Sequence, residues 1–429
     1  MRRIAIVSEH ASPVAPAGSV DSGGQNIYVG QVARQLAMRG HLVDIFTRRD
    51  SLCLPAEMPW QQGVRIIHVD AGPPHELPKE ELLPFMEDFR RCMELRFASP
   101  DEPYDLIHAN FFMSAMAALP VARRAGIPLI VTFHALGRVR RLHQAEADRF
   151  PDSRFNIEEE IVRCADRIIA ECPQDRSDLV GLYGADPDRI RMVACGYDPE
   201  EMWCMDQGEL RRAMGWDPHA FYLLQLGRMV PRKGVDNVIR ALAHLRQDHG
   251  VDARLCVVGG SSIDPSRESS PELARLAHVA RQQGVEAAVA FVGRRGRHEL
   301  RHFYGACDVF VTTPWYEPFG ITPVEAMACG RPVVGSDTGG IRYTVVDGET
   351  GFLVPPKDPK ALAVRLAVLA NNAGLAQRMG MAGMRRASRL FTWNRVGMDL
   401  ERVFDEAVAG TYGAPASMPT WPARSQLSA

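Results

Sequence analysis

Thirteen short apolar runs alternate with helix-patterned segments along this chain, and that alternation restricts the fold more than any other feature. In the first half the runs are RIAIVSE, HLVDIFT, VRIIHVD, YDLIHAN, PLIVTFH, RIIAEC and IRMVACG; in the second they are FYLLQLG, RLCVVGG, VAFVG, DVFVTTP, RPVVGSD and GFLVPP. Runs rich in Val and Ile, bounded by Gly, Pro or Asp, suit strands buried on both faces of a parallel sheet. Amphipathic segments lie between them. In QNIYVGQVARQLAMRG, for example, Ile27, Gln31, Arg34 and Met38 mark the turns and Gly40 is the stop. The expected fold class is α/β, built as two doubly wound Rossmann-like domains. The join falls in CGYDPEEMW, which gives domains 1–197 and 198–392. A last helix, WNRVGMDLERVFDEAVAG, ends at Gly410 within the segment 393–411, and the Pro- and Ser-rich stretch 412–429 is expected to be a disordered tail.

Charge and cysteine usage narrow the function. A formal net charge of −2 supplies no basic field for nucleic acid. The nine cysteines form no C-x-x-C pair, so neither a structural zinc site nor a disulfide framework is indicated. Several sit in apolar runs, which suits buried thiols in a reducing compartment. No apolar run approaches the roughly 18 residues that span a bilayer. The start, MRRIAIVSEH, is too short in apolar residues for a signal peptide and reads as a first strand. The expectation is a cytoplasmic enzyme.

In doubly wound domains ligands sit beyond the carboxyl ends of strands, here between the domains, so the loops there carry the chemistry. After DVFVTTP comes YEPFGITPVEAMACGRPVV. Gly320 permits close backbone approach, Thr322 suits an N-cap and Pro323 the first helical position, leaving backbone N–H groups for an anion. Glu317 in the loop and Glu325 one turn into the helix can face one ligand from two sides, each accepting from sugar hydroxyls. The competing account is a capping box in which Glu325 only reaches back to Thr322. After FYLLQLG, Arg228 and Lys233 could neutralise a diphosphate without a metal, or be a solvated basic turn. Gly23 and Gly24, between the first strand and helix, offer backbone N–H groups to a phosphate or sugar. Neither they nor VVGGSSIDP match G-x-G-x-x-G, which argues against a nicotinamide dehydrogenase. His134 follows directly on PLIVTF. Arg138, Arg140, Arg141 and His143 then crowd one short stretch, either a site for a phosphorylated substrate or an exposed helix start. The D-x-D at Asp186 and Asp188 sits in a Pro-containing turn and reads as a turn.

Taken together, these motifs resemble the retaining glycosyltransferases of the GT-B fold, glycosyltransferase family 4 (group 1). The resemblance runs from Ile4 to about Phe404. It rests on the E-x7-E pair Glu317 and Glu325 within EPFGITPVEAMACGRPVV, on GRMVPRKG, and on GSDTGGIRYTVVDGETGFLVPPKDP. The segments DSGGQNIYVGQVARQLA and TFHALG are most similar to the sucrose-phosphate synthase and mycothiol glycosyltransferase branch. The resemblance implies two domains facing across a cleft, with the helix after Trp393 crossing back to the N-terminal domain. It implies a nucleoside-diphosphate sugar donor, UDP-glucose as the first choice, held by the C-terminal domain. Arg228 and Lys233 would contact the diphosphate, Glu325 the ribose hydroxyls and Glu317 a sugar hydroxyl. Backbone around Phe319, Gly320 and Ile321 would contact sugar and phosphates, and Arg294 would lie near the base. From the N-terminal domain, Gly24 would approach the phosphate and His134 the transferred sugar. Catalysis would thus rest on His134, Arg228, Lys233 and Glu317, with no metal and no cofactor. The acceptor would be a sugar phosphate or inositol phosphate met by the Arg138–Arg141 patch. A lipid or glycan acceptor, which would bring the enzyme to a membrane surface, stays open. So do an epimerase and an inactive sugar-binding module on the same fold.

The stretch HELRHFYGACD also matches the zinc-protease pattern H-E-x-x-H. Leu300, Phe303, Tyr304 and Cys307, however, recur as an apolar stripe that should face a sheet. His298 and His302 then point away from it, and Asp308 opens a strand. A connecting helix is the expectation.

Overall fold

The computed structural model describes residues 1–15, 23–99, 101–260, 262–265 and 270–410; the stretch 412–429, expected to be a disordered tail, lies outside the described residues. The chain forms two compact units, one of Met1–Ala194 with the segment from Trp393 onward, the other of Cys195–Thr392.

Unit 1 is built on eight strands: β1 (Arg3–Val7), β2 (Leu42–Arg48), β3 (Glu57–Gln61), β4 (Val64–Val69), β5 (Leu106–Asn110), β6 (Leu129–Thr132), β7 (Arg167–Ala170) and β8 (Ile190–Met192). They lie in the order β3-β4-β2-β1-β5-β6-β7-β8. All pairings are parallel except β3 with β4. Ile4, Ile6, Ile45, Leu106, Ile107, Leu129 and Ile130 are fully buried, as strands covered on both faces require. The seven apolar runs of this half are the seven parallel strands. β3 has no counterpart among them. Its residues alternate between exposed and half-buried, and Pro59 lies within it, which confines it to a sheet edge.

The helix Gly24–Met38 buries Tyr28, Val29, Val32, Ala33 and Leu36. Ile27, Gln31 and Arg34 are only half-buried and Met38 is 71% exposed. The i, i+4, i+8 row Tyr28, Val32, Leu36 carries more apolar area than the row that begins at Ile27, so it faces inward. On this helix packs Trp393–Gly410. Arg39 donates to the Asn394 side chain at 2.6 Å, His41 meets Glu401 at 3.0 Å, and Trp393 sits edge-on to Tyr28 at 6.0 Å.

Unit 2 is built on β9 (Phe221–Leu226), β10 (Ala253–Val258), β11 (Val289–Gly293), β12 (Val309–Thr312), β13 (Val333–Ser336) and β14 (Gly351–Val354). The order is β11-β10-β9-β12-β13-β14, all parallel. Leu223, Leu255, Val257, Val309, Val311 and Val334 pack with Val238, Leu242 and Leu366 from flanking helices into one core. Each sheet has a point where the strand order reverses, at β1 against β5 and at β9 against β12. Crevices at such points bind ligands. Among the described residues no helix is long and apolar enough to cross a membrane.

Candidate active site

In unit 2 the loops after β9 and β12 flank the reversal point. The first closes with a tight turn, Pro231–Lys233, and Gly234 at φ 66°. A Cβ at Gly234 would stand 2.0 Å from the Thr313 carbonyl oxygen, so only glycine lets this loop lie against the end of β12. The Thr313 hydroxyl donates to the Gly234 carbonyl at 3.0 Å. Lys233 is thereby delivered to Glu317, and the two form a short ion pair with side chains 20% and 17% exposed. Burial draws the Lys233 ammonium below the ordinary amine value and the neighbouring Arg232 and Arg228 charges add to this, with Glu317 opposing. Burial pushes Glu317 up, but Lys233, Arg232 and Arg228 outweigh it and hold the carboxyl below the usual range. One carboxylate thus lies among three cations, a surplus of positive charge suited to an incoming polyanion.

The Glu317 loop is fixed from its other side by the Gly339-Gly340 pair. The Gly340 N–H donates to the Glu317 carbonyl at 2.8 Å. A Cβ at Gly340 would come within 2.3 Å of the Phe319 Cα. Phe319 is buried and meets Phe391 edge-on. The helix that follows runs Ile321–Ala328 and is capped by Gly320 at φ 92°, which corrects the expectation of Thr322 as N-cap with Pro323 first; both lie inside the helix. With φ positive, glycine takes the junction, and the threonine is displaced two residues inward.

Glu325 does not reach back to Thr322. It turns inward, 2% exposed, and each oxygen has one donor: Arg297 Nη2 at 3.0 Å and the Tyr304 hydroxyl at 2.9 Å. Arg297 also holds Glu201 at 2.6 Å. Burial, then the Glu325 charge, pushes the Tyr304 phenol well above its usual value. Burial works against the Arg297 charge, but the two carboxylates outweigh it and keep the guanidinium charged. Arg297 and Tyr304 both belong to the helix Arg297–Ala306, the one that carries HELRH. Its Leu300, Phe303 and Tyr304 are buried as expected, with Cys307 just beyond, while His298 is exposed and His302 half-buried. Glu299 accepts from the Gly296 N–H at 2.7 Å. Asp308 is taken by Arg211 and the Tyr222 N–H. Arg294 is half-buried, its own N–H donating to the Ser262 carbonyl at 2.7 Å.

In unit 1 three consecutive parallel strands each end in a polar residue, and these meet. Asn110 closes β5, Glu171 follows β7, and His134 stands two residues beyond β6 at φ 58°. His134 Nδ1 faces Glu171 Oε1 at 2.9 Å, and Nε2 faces Asn110 Oδ1 at 3.0 Å. Tyr28 closes on the ring edge-on at 4.7 Å. The loop bearing His134 is anchored by the buried pair Arg154 and Glu158: Arg154 donates to the Ala135 carbonyl, and Glu158 accepts from the Gly137 N–H at 3.0 Å. Gly24 opens the first helix and is exposed, while the Gly23 N–H is taken by Asn26 at 2.9 Å. The three patch arginines are not bare cations. Arg138 pairs with Glu159, Arg140 with Asp148 at 3.0 Å, and Arg141 with Asp152 at 2.8 Å.

Behind Glu171 lies Asp175, whose carboxylate accepts the Glu171 N–H at 2.9 Å. Burial, with the Glu171 charge adding to it, pushes this carboxyl up to about 8. The folded protein therefore holds a proton that the unfolded chain has released, and stability falls as pH rises from the ordinary carboxylate value towards about 8. Asp175→Asn keeps an acceptor for the Glu171 N–H and removes the ionisation. Its melting temperature should pull ahead of wild type as pH rises from 5 to 8, by roughly 3–5 °C at the upper end. A gap that stays flat across that range would refute this.

The sequence points to Glu317, Glu325, Lys233 and His134; Asn110, Glu171, Arg297, Tyr304 and Glu201 join them only in the folded structure. Asn110 and Glu171 do carry a signal, since each ends an apolar run on a polar residue just as His134 does. Arg297 and Tyr304 lie in and beside a motif whose histidines are its conspicuous residues.

Two sequence profiles match the chain: "Glycosyltransferase Family 4" over residues 22–201 and "Glycosyl transferases group 1" over residues 206–386. Among curated proteins, a D-inositol 3-phosphate glycosyltransferase of Stackebrandtia nassauensis is 35% identical over 97% of this chain and 94% of its own. One from Kribbella flavida is 37% identical over 92% and 93%. Among solved structures, a sucrose-phosphate synthase from Thermosynechococcus elongatus superposes with TM-score 0.87 at 30% identity, covering 95% of this chain and all of that one. HepE of Anabaena, solved in complex with UDP-glucose, shares the fold with TM-score 0.72 at 20% identity, over 95% and 100%.

Proposed function

The chain belongs to the family 4, group 1 glycosyltransferases, with the GT-B fold, and from that premise we propose that it transfers a hexosyl group from a nucleoside-diphosphate sugar, UDP-glucose first, to a hydroxyl of an inositol phosphate with retention of anomeric configuration. The observation that carries this is the Lys233–Glu317 pair, with Arg228 and Arg232 beside it, at the reversal point of the unit 2 sheet. An arriving diphosphate takes over Lys233 and Arg228, and Glu317 is released to accept from a hydroxyl of the donor sugar. The bond between the anomeric carbon and the diphosphate oxygen then breaks, leaving negative charge on the phosphate. Lys233, Arg228 and the amino end of the helix that begins at Ile321 stabilise that charge. The acceptor hydroxyl attacks the same face of the sugar, and its proton passes to the departing phosphate oxygen. No step calls for a metal, since these cations fill that role.

His134 is the unit 1 residue assigned to the transferred sugar, held by Glu171 and Asn110. For the acceptor phosphate, Arg138 and Arg141 suit better than Arg140. Their partners Glu159 and Asp152 are 43% and 77% exposed and are readily exchanged for a phosphate, whereas Asp148, on Arg140, is 1% exposed. The inositol phosphate rests on the named activity of the two curated relatives.

The test is acceptor-dependent release of nucleoside diphosphate across UDP-, ADP- and GDP-sugars. Each donor is run with and without inositol phosphate and fructose 6-phosphate, and with and without a chelator. Release from UDP-sugars only with inositol phosphate, unchanged by chelator, is the expected outcome. Release with fructose 6-phosphate instead would reassign the acceptor. Loss of activity on chelation would end the metal-free reading.

A further inference from the structure

We propose that Tyr304 and Arg297 are positioning residues for donor recognition: together they aim Glu325 so that its remaining lone pairs read the donor's ribose hydroxyls. This rests on the assignment of Glu325 to the ribose, and goes beyond it by naming what sets that carboxylate.

Glu325 does nothing for its own helix. Gly320 supplies the cap, and the Glu325 side chain makes no bond to the first turn. A carboxylate 2% exposed is unfavourable unless its oxygens are satisfied, and apolar packing would serve the fold as well. Its two donors instead come from one helix, one to each oxygen. A carboxylate has about four lone-pair sites, so two remain for a ligand. Neither donor can swing away. Tyr304 is fully buried and packs against Phe310 at 5.5 Å. The Arg297 guanidinium is also held by Glu201, whose Oε2 lies 2.8 Å from Nε and 2.6 Å from the Nη2 that meets Glu325. The phenol keeps its proton, and its hydroxyl donates to Glu325 Oε2. The result is an acceptor of fixed rotamer, as discrimination between a hydroxyl and its absence requires.

The experiment compares the best nucleoside-diphosphate sugar with its 2′-deoxyribo analogue in the release assay, for wild type, Tyr304→Phe and Arg297→Lys. Wild type should prefer the ribo donor by about tenfold or more in kcat/KM, the value of a hydrogen bond to a charged group. Tyr304→Phe removes one hydroxyl and keeps the ring. It should cut that preference roughly three- to tenfold, through the KM for donor, with kcat and the KM for acceptor within about twofold. A merely structural role would lower rates with both donors alike and leave the ratio untouched. A preference that survives intact in Tyr304→Phe overturns the inference alone. A wild type with no preference overturns the ribose assignment of Glu325 and the inference with it. Should Tyr304→Phe fail to fold, Arg297→Lys, which keeps the charge but loses the grip on two carboxylates at once, carries the same comparison.

Discussion

Replacing Lys233 with alanine is expected to lower kcat by roughly 10²–10³-fold, the effect of deleting one preorganised group that meets charge developing in a transition state. Lys233 is the cation nearest Glu317, delivered there by a turn that only glycine at 234 permits. On the proposed mechanism its loss takes one counter-charge from the departing diphosphate. It also leaves Glu317, 17% exposed, leaning on Arg228 and Arg232. Lys233→Arg should recover little, because a planar guanidinium does not fit the place of a compact ammonium in so short a pair. The fold should survive, since the pair is partly open to solvent and contributes about 1 kcal/mol or less. Steady-state rates at saturating donor and acceptor, alongside a melting curve, separate the two effects. Turnover within a few-fold of wild type would end the assignment of this lysine to the leaving group.

Glu158→Ala should have the largest effect on stability, about 3–5 kcal/mol, the range for removing one partner of a buried ion pair. Arg154 and Glu158 both have fully buried side chains. Glu158 Oε1 accepts from Arg154 Nε at 2.7 Å, its two oxygens accept from the Gly137 N–H at 3.1 and 3.0 Å, and Oε2 accepts from the Tyr183 hydroxyl. The substitution strands a guanidinium enclosed by the rings of Phe111, Phe112 and Phe150, with two further donors unpaired. The shift in melting temperature should be roughly 10 °C for a unit of this size. Activity should fall as well, because Gly137 and Ala135 belong to the loop that holds His134. A melting transition within a degree or so of wild type would show that water reaches this pair and that its burial is not what holds the loop.

Strands and site are legible in the sequence to different depths, for different reasons. Strands covered on both faces must be apolar throughout, so RIAIV and FYLLQL announce themselves without tertiary information. EMPWQ does not, because an edge strand with one solvent face and a proline carries no such run. The first helix is plain from its pattern, but its inward face is not, since Gln31 and Arg34 can flank a core by their stems as readily as face water. At the site, residue types and their places after strands are readable, but their pairings are not. By spacing alone Glu325 looks like the acid of a capping box opened by Thr322; in space its partners Arg297 and Tyr304 lie 28 and 21 residues upstream. Likewise the arginines of GRVRRLH read as a basic patch, since the acids that neutralise them, Glu159 and Asp152, lie on the following turns of chain.

The helix Trp393–Gly410 gives the chain an order of assembly. Unit 1 begins at the first residue, yet the helix that covers Tyr28 and His108, through Trp393 and Phe404, comes after the whole of unit 2 in the chain. Unit 2 is an uninterrupted stretch and can close while synthesis continues. Unit 1 waits with that face open until unit 2 has been made. A chain cut at residue 392 is expected to keep unit 2 whole and to leave unit 1 without the helix that covers Tyr28 and His108.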